Sequence, residues 1–562
     1  MGNTVTAQLF GELPSDQIAW LESRLETVRL RAGERLFHQG DDGDSLYLVD
    51  GGRLQATAVD QQGSSHLVGE LGHAEPLGEM ALLTSEPRSA TIHAIRDSTL
   101  LRLSSADFLQ MIAENPETLR PISERLIARL RANTGPRSSP AQTVALLPLG
   151  PGDNTEDLAD ALAERASDKG LSASITADYS ASEERSSDLL IMRPPNDIAS
   201  LERCAANADR LLFVTHDGTL RQAVVDELAL RCPLTRRDLV VMHPEGRRHP
   251  RGTARVAEKV RADRIHHVRV RGGHNVDGLL RSLLQQEIAL VLSGGGARGL
   301  AHVGVAKAAR EKGIPIDAVV GTSAGSMVGA LIAQQAPFDE MCHQLRARIG
   351  DQRAALDLTA PAVSLASGRK ITTNLREAFG SLTIEDTWTS FACVSTNLSR
   401  ARPHIHDSGE LWWAVRSSIA VPGVFPPTTL GTDVLVDGGI TNNLPVDVAR
   451  ERHPGATVIA VDVGNDRELT AGDLPDNGVL SGWSVMGRKL NPFASSDDIR
   501  GLLSILMRVT ELGAVGGEDR GDLIIEPDVE RFGLFDFGRL DELVDAGYEA
   551  ASAAFESFTP EI

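Results

Sequence analysis

The stretch VVGTSAGSMVGALIA (Val319–Ala333) sets a serine between two glycines, after an apolar run and before small residues able to open a helix. A G-x-S-x-G turn between a strand and a helix exposes the serine Oγ and aims the helix N-terminus at it. Gly321 and Gly325 supply the tight backbone, and Thr322 and Ala324 are small. Five residues containing two glycines recur by chance, so the reading of Ser323 as a nucleophile rests on its neighbours. A serine attacks an acyl carbon only where one group removes its proton and another stabilises the oxyanion.

Upstream lies IALVLSGGGARGLAHVG (Ile288–Gly304), an apolar strand, a glycine loop and a helical segment. Gly294, Gly295, Gly296 and Gly299 make a loop rich in N–H donors, and Arg298 adds positive charge, which is the chemistry of an oxyanion hole. A phosphate loop is the competing reading, but the G-K-[ST] ending of a nucleotide-binding loop is missing. Downstream, DVLVDGGITNNLPV (Asp433–Val446) sets Asp437 at the end of an apolar strand, where α/β sheets place working groups. An Asx-turn would explain any single D-G-G; the ordered set G-G-G-x-R-G, G-x-S-x-G, D-G-G favours catalysis.

That ordered set, together with SIAVPGVFPP, NNLPV and VIAVDVG, resembles the patatin-like phospholipases over nearly all of residues 288–465. The resemblance implies a Ser–Asp dyad with Ser323 as nucleophile and Asp437 as base. It implies an oxyanion loop at Gly294, Gly295, Gly296, Arg298 and Gly299, and no histidine. The rival is a Ser–Asp–His triad using His453, which lies in ARERHPGATVIAV before a Pro-Gly turn, where capping a helix C-terminus is the better explanation.

Toward the N-terminus, short apolar strands alternate with turn signals from about Leu30 to Leu103, predicting a β-barrel or jelly roll. Within it, LGEMALLTSEPRSATIHA (Leu77–Ala94) combines a short turn with one arginine, a receptor for a single phosphate. It resembles the phosphate cassette of cyclic nucleotide-binding domains, and the resemblance covers roughly residues 10–130. It implies Arg88 on a cyclic phosphate, Glu79 on a ribose hydroxyl, and Gly78, Ser89 and Ala90 lining the cassette, with cAMP or cGMP as regulatory ligand. Ala74 departs from the family's usual glycine. An α/β segment follows rather than a helix-turn-helix, which excludes a transcription factor of this type.

From Val144 to about Leu284 apolar runs alternate with helix-like segments, a parallel α/β pattern without G-x-G-x-x-G. The order of parts resembles the neuropathy target esterase group of phospholipases. The expected organisation is multidomain α/β: a cyclic nucleotide-binding-like domain (1–133), a linker (134–142), a degenerate α/β middle domain (143–284), a patatin-like catalytic domain (285–480) and its C-terminal part (481–562). Between Glu245 and Arg271 nine Lys/Arg face three acids, read as a solvated face; lipid head-group attraction is the alternative. GWSVMGRKLNPF (Gly482–Phe493) spaces Trp483, Met486, Leu490 and Phe493 near-helically, a second candidate for lipid contact.

The formal net charge of −21 over 562 residues argues against a general nucleic-acid binder. Cys204, Cys232, Cys342 and Cys393 lie far apart, as reduced thiols of a cytosolic protein do. There is no signal-peptide h-region and no apolar run long enough to span a bilayer. The opening MGNTVT matches a myristoylation pattern short enough to arise by chance. The expectation is a cytoplasmic, metal-free serine esterase of phospholipids or lysophospholipids, with peripheral membrane contact and no catalytic cofactor. A nucleotide-responsive binding protein with a vestigial hydrolase domain, and a lipid acyltransferase, are the alternatives.

Overall fold

The computed structural model describes residues 15–60, 62–120, 122–124, 142–216, 218–269, 275–349, 357, 359, 363–464 and 519–559. The segment 482–493 lies outside them, as does the expected linker apart from its last residue. The chain divides into two compact units, Met1–Glu287 and Ile288–Ile562.

The first unit opens with two four-stranded antiparallel sheets. Strands β1 (Glu26–Leu30), β8 (Ser98–Ser104), β3 (Ser45–Gly51) and β6 (Pro76–Leu77) form one in that order; β2 (Arg35–Phe37), β7 (Thr91–Ala94), β4 (Leu54–Val59) and β5 (Ser65–Leu71) form the other. Alternation along β3 explains the layering. Tyr47 and Val49 point into the barrel with Leu54, Ile92 and Leu100, while Leu46 and Leu48 point outward onto Phe108 and Met111 of the helix Ser105–Glu114. Ala74 adopts φ 62°, so the backbone keeps the left-handed turn that glycine would occupy at lower cost.

The same unit continues as a six-stranded parallel sheet. Its strands are β9 (Thr143–Pro148), β10 (Ala173–Thr176), β11 (Leu189–Met192), β12 (Arg210–Thr215), β13 (Arg236–Met242) and β14 (Arg264–Val268), in the order β10-β11-β9-β12-β13-β14. TVALLP of β9 is buried throughout because helices cover both faces, giving one apolar cluster on each. Barrel and sheet share buried ion pairs: Arg53 and Arg96 reach Asp209 at 3.2 and 2.7 Å, and Arg96 also pairs with Glu184.

The second unit is built on an eight-stranded sheet. Parallel strands β17 (Ser390–Asn397), β16 (Ala318–Thr322), β15 (Ile288–Leu292), β21 (Thr457–Val461) and β22 (Leu523–Ile525) form its centre; β18 (Arg402–His406), β19 (Thr428–Leu430) and β20 (Asp433–Asp437) complete the β17 side. The helix Ala301–Glu311, which follows the glycine loop, crosses the C-terminal helix Leu540–Glu556 very closely. A Cβ at Gly304 or Gly547 would stand 1.9 Å from a backbone carbonyl of the other helix.

Candidate active site

Register places the site. β16 pairs with β17 from Ala318↔Ser390 to Thr322↔Val394 and then stops. β17 runs on, and β20 takes the vacated edge antiparallel, ending with Asp437 opposite Ser395. The residue after Thr322 is Ser323, so Ser323 and Asp437 meet where one strand hands over to the other. Ser323 Oγ donates to Asp437 Oδ2 at 2.7 Å.

Ser323 opens the helix Ala324–Ala333 with φ 53° and ψ −118°, a conformation costly for a residue with a side chain and one that cannot continue the strand. Three ties hold it. Its N–H donates to Ser418 Oγ at 2.9 Å, and the Ser418 hydroxyl donates to the Val394 carbonyl at 2.6 Å. Thr322 Oγ1 donates to the Asn442 carbonyl at 2.9 Å, binding the turn to the loop that carries Asp437. Ser418 is fully buried, so Ser418→Ala deprives the buried Ser323 N–H of its acceptor and removes a bond to the Val394 carbonyl. The expected result is a loss of about 1–3 kcal/mol in stability and a fall in kcat exceeding any rise in KM, measured by thermal unfolding and steady-state kinetics.

Asp437 is 1% exposed. Its Oδ1 accepts from the Gly439 N–H at 2.9 Å, and its own carbonyl accepts from Thr396 Oγ1 at 2.8 Å. Burial dominates its titration and pushes the carboxyl up to about 6, against the opposing bonds from Ser323 and Gly439.

The glycine loop comes within contact of Ser323: a Cβ at Gly294 would stand 3.1 Å from Ser323 Cβ and 2.4 Å from Asn443 Oδ1. Gly294 N–H donates to the Asn443 carbonyl at 3.2 Å, and Asn443 Nδ2 returns a bond to the Gly294 carbonyl at 3.3 Å. Gly296 sits at φ 58° with Leu534 O packed against it. Ala297 N–H is spent on that same carbonyl, and Arg298 Nε donates to the Phe532 carbonyl at 2.9 Å. Gly294 and Arg298, expected as oxyanion groups, thus anchor the loop. The amides of Gly295 and Gly296 take no acceptor among the described residues. Gly299 packs on Ala324, Gly321 on Gly325, and Gly325 on the Leu292 carbonyl, so each permits close backbone approach.

His453, the candidate third member of a triad, is placed elsewhere. His453 follows the helix Val446–Arg452, donates its N–H to Ala449 O, and has Nε2 3.3 Å from Ser390 Oγ. Ser390 starts β17, while the serine–aspartate contact lies beyond Val394, four residues along that strand, or roughly 13 Å. His302, fully buried, bonds the Ser293 carbonyl through Nε2 at 2.9 Å, and burial pushes it down to about 4. His453→Ala is therefore expected to keep hydrolysis within about 10-fold of wild type, because only contacts at a helix end are lost; a loss of several orders of magnitude with folding intact would restore the triad.

In the barrel, Gly78, Glu79, Arg88, Ser89 and Ala90 fall in one cassette. Arg88 is 3% exposed; Nη1 donates to the Gly78 carbonyl at 3.0 Å and Nη2 to the Ser45 carbonyl at 2.9 Å. Its guanidinium lies 4.3 Å over the Phe37 ring, and its buried Nε takes no hydrogen-bond partner among the described residues. Glu79 is buried at the start of the helix Glu79–Thr84; Ser89 is exposed and Ala90 half-buried. Among the described residues no group of three or more His, Cys, Asp or Glu could hold a metal ion, and no helix is long and apolar enough to cross a membrane.

Residues 290–450 match the family of patatin-like phospholipases, and residues 27–115 match the cyclic nucleotide-binding domain. The chain thus carries a cyclic nucleotide-binding domain followed by a patatin-like phospholipase domain. It is similar to Lysophospholipase nte1 of Neosartorya fischeri, 29% identical over 96% of this chain and 42% of that protein. Lysophospholipase NTE1 of Coccidioides immitis is likewise 29% identical, over 95% of this chain and 40% of the relative. The chain thus spans about two fifths of the curated relatives it matches. Among solved structures, the Thermus thermophilus catabolite activator protein is 32% identical over 22% of this chain and 59% of its own, with a TM-score of 0.21.

Proposed function

We propose that the chain is a serine esterase that hydrolyses the carboxylic ester of a phospholipid or lysophospholipid through a Ser323–Asp437 dyad. The 2.7 Å Ser323–Asp437 hydrogen bond, at the strand handover and beneath the glycine loop, carries this reading. Ionised Asp437 takes the hydroxyl proton as Ser323 Oγ bonds to the ester carbonyl carbon. The carbonyl oxygen becomes an oxyanion held by the amides of Gly295 and Gly296. As the tetrahedral intermediate collapses, the C–O bond to the alcohol breaks, and protonated Asp437 returns its proton to the leaving lysolipid or glycerophospho group. Water then attacks the acyl-enzyme by the same route and releases the fatty acid. The names of the matched relatives support the substrate class.

The barrel cassette is the regulatory site in this reading, with a cyclic phosphate on Arg88, whose buried Nε lacks a partner, and the ribose on Glu79. Contact with lipid is peripheral. The test is hydrolysis of a lysophospholipid panel by wild type and Ser323→Ala, with and without cAMP or cGMP. Hydrolysis by wild type alone, altered by one nucleotide, is expected. Equal rates in the two proteins overturn the esterase, and rates unmoved by nucleotide overturn the regulation. Product analysis with an added lipid acceptor separates hydrolysis from acyl transfer.

A further inference from the structure

Open parallel sheets bind ligands beyond the carboxyl ends of their strands. In the middle sheet cations gather at that end of β13 and β14. The run HPEGRRHPR (His243–Arg251) leaves β13 and leads to the helix Thr253–Val260, with Glu245 as its single acid. Arg247, Arg248 and Arg251 are exposed, and Arg269, just past β14, joins them by donating from Nη2 to the Arg247 carbonyl at 2.9 Å. His249 lies within the field of Arg248 and Arg251; partial burial and then those two charges lower its pKa. Behind the loop, the buried rings of His243 and His267 meet at 2.9 Å and fix the ends of β13 and β14 together.

Several arginines elsewhere in this unit are neutralised by acids: Arg96 by Asp209, Arg203 by Asp178, Arg210 by Asp238 and Arg264 by Glu287. Among the described residues Arg247 and Arg251 enter no ion pair. A cationic face on a chain of net charge −21 is suited to a negative layer. Guanidinium groups match phosphate by paired N–H donors.

We propose that the Arg247–Arg251 loop with Arg269 is an electrostatic docking surface for the phosphate head groups of an anionic bilayer. This assignment stands apart from the esterase reading, because docking needs no turnover. The test is co-sedimentation of the full chain with vesicles of phosphatidylcholine alone, or of phosphatidylcholine with phosphatidylglycerol. Binding to the second only, lost at about 1 M salt, is expected. The variant Arg247→Ala/Arg248→Ala/Arg251→Ala should bind about 100-fold more weakly, since each juxtamembrane cation contributes about fivefold. Its melting temperature should match wild type, and the corresponding triple lysine variant should retain most of the binding. Failure of wild type to bind the anionic vesicles, or equal binding by the alanine variant, overturns the proposal. So does release by millimolar inorganic phosphate at constant ionic strength, which would mark a site for free phosphate.

Discussion

Ser323→Ala is expected to lower ester hydrolysis by about 10⁵-fold or more, because removing a nucleophile that works as a unit with its base removes the covalent route itself. The fold should survive. Ser323 is a small side chain 8% exposed, and the elbow is held through its backbone, by Ser418 on the N–H and Asn442 on the preceding threonine. Asp437 loses its Oδ2 donor but keeps the Gly439 amide. The variant should therefore melt close to wild type and fail to label with a fluorophosphonate probe. Residual hydrolysis near the wild-type rate would mean that the nucleophile is elsewhere.

Asp437→Asn should lower the rate by about 10³–10⁴-fold, the scale on which a correctly shaped but non-basic partner fails. On the proposed mechanism Asp437 serves as base only when ionised, and burial pushes its pKa up to about 6. Accordingly kcat/KM should fall tenfold per pH unit below about 6 and level off above it. The stability effect has the opposite sign. The folded carboxyl titrates above its ordinary value of 3.8, so between about 4 and 6 the folded chain holds a proton that the unfolded chain has released. Wild-type stability therefore declines as pH rises through that window, by up to about 3 kcal/mol for a shift of this size. Asparagine carries no such penalty. The variant should be more stable than wild type at pH 7, with the difference vanishing toward pH 4, as chemical denaturation at several pH values would measure. A variant less stable at pH 7 than at pH 4 relative to wild type would contradict burial as the cause.

Motifs made Ser323, Asp437 and the glycine loop legible before any coordinates, because each sits at a strand end where apolar residues give way to glycine. What brings them together was not legible. The handover from β16 to β20 is a register between residues about a hundred positions apart, and no local pattern encodes it. Ser418 is the first residue of SIAVPGVFPP, yet its bond to an amide 95 residues upstream follows only from packing. Arg298 reads as charge for an oxyanion, and the fold turns its Nε to a carbonyl 234 residues away. The barrel and middle sheet read as separate domains. Buried pairs among Arg53, Arg96 and Asp209 join them within one unit, through charges that look like ordinary surface residues in sequence. Ala74 shows the reverse case: sequence flags a missing glycine, and the backbone keeps the glycine conformation regardless.

The central claim is a covalent acyl-serine, and the most direct measurement is mass spectrometry of the protein quenched during turnover of a lysophospholipid. The account predicts one fatty-acyl adduct, on the peptide containing Ser323, accumulating in wild type and absent from Ser323→Ala. An adduct on another residue, or continued hydrolysis by Ser323→Ala, would contradict it.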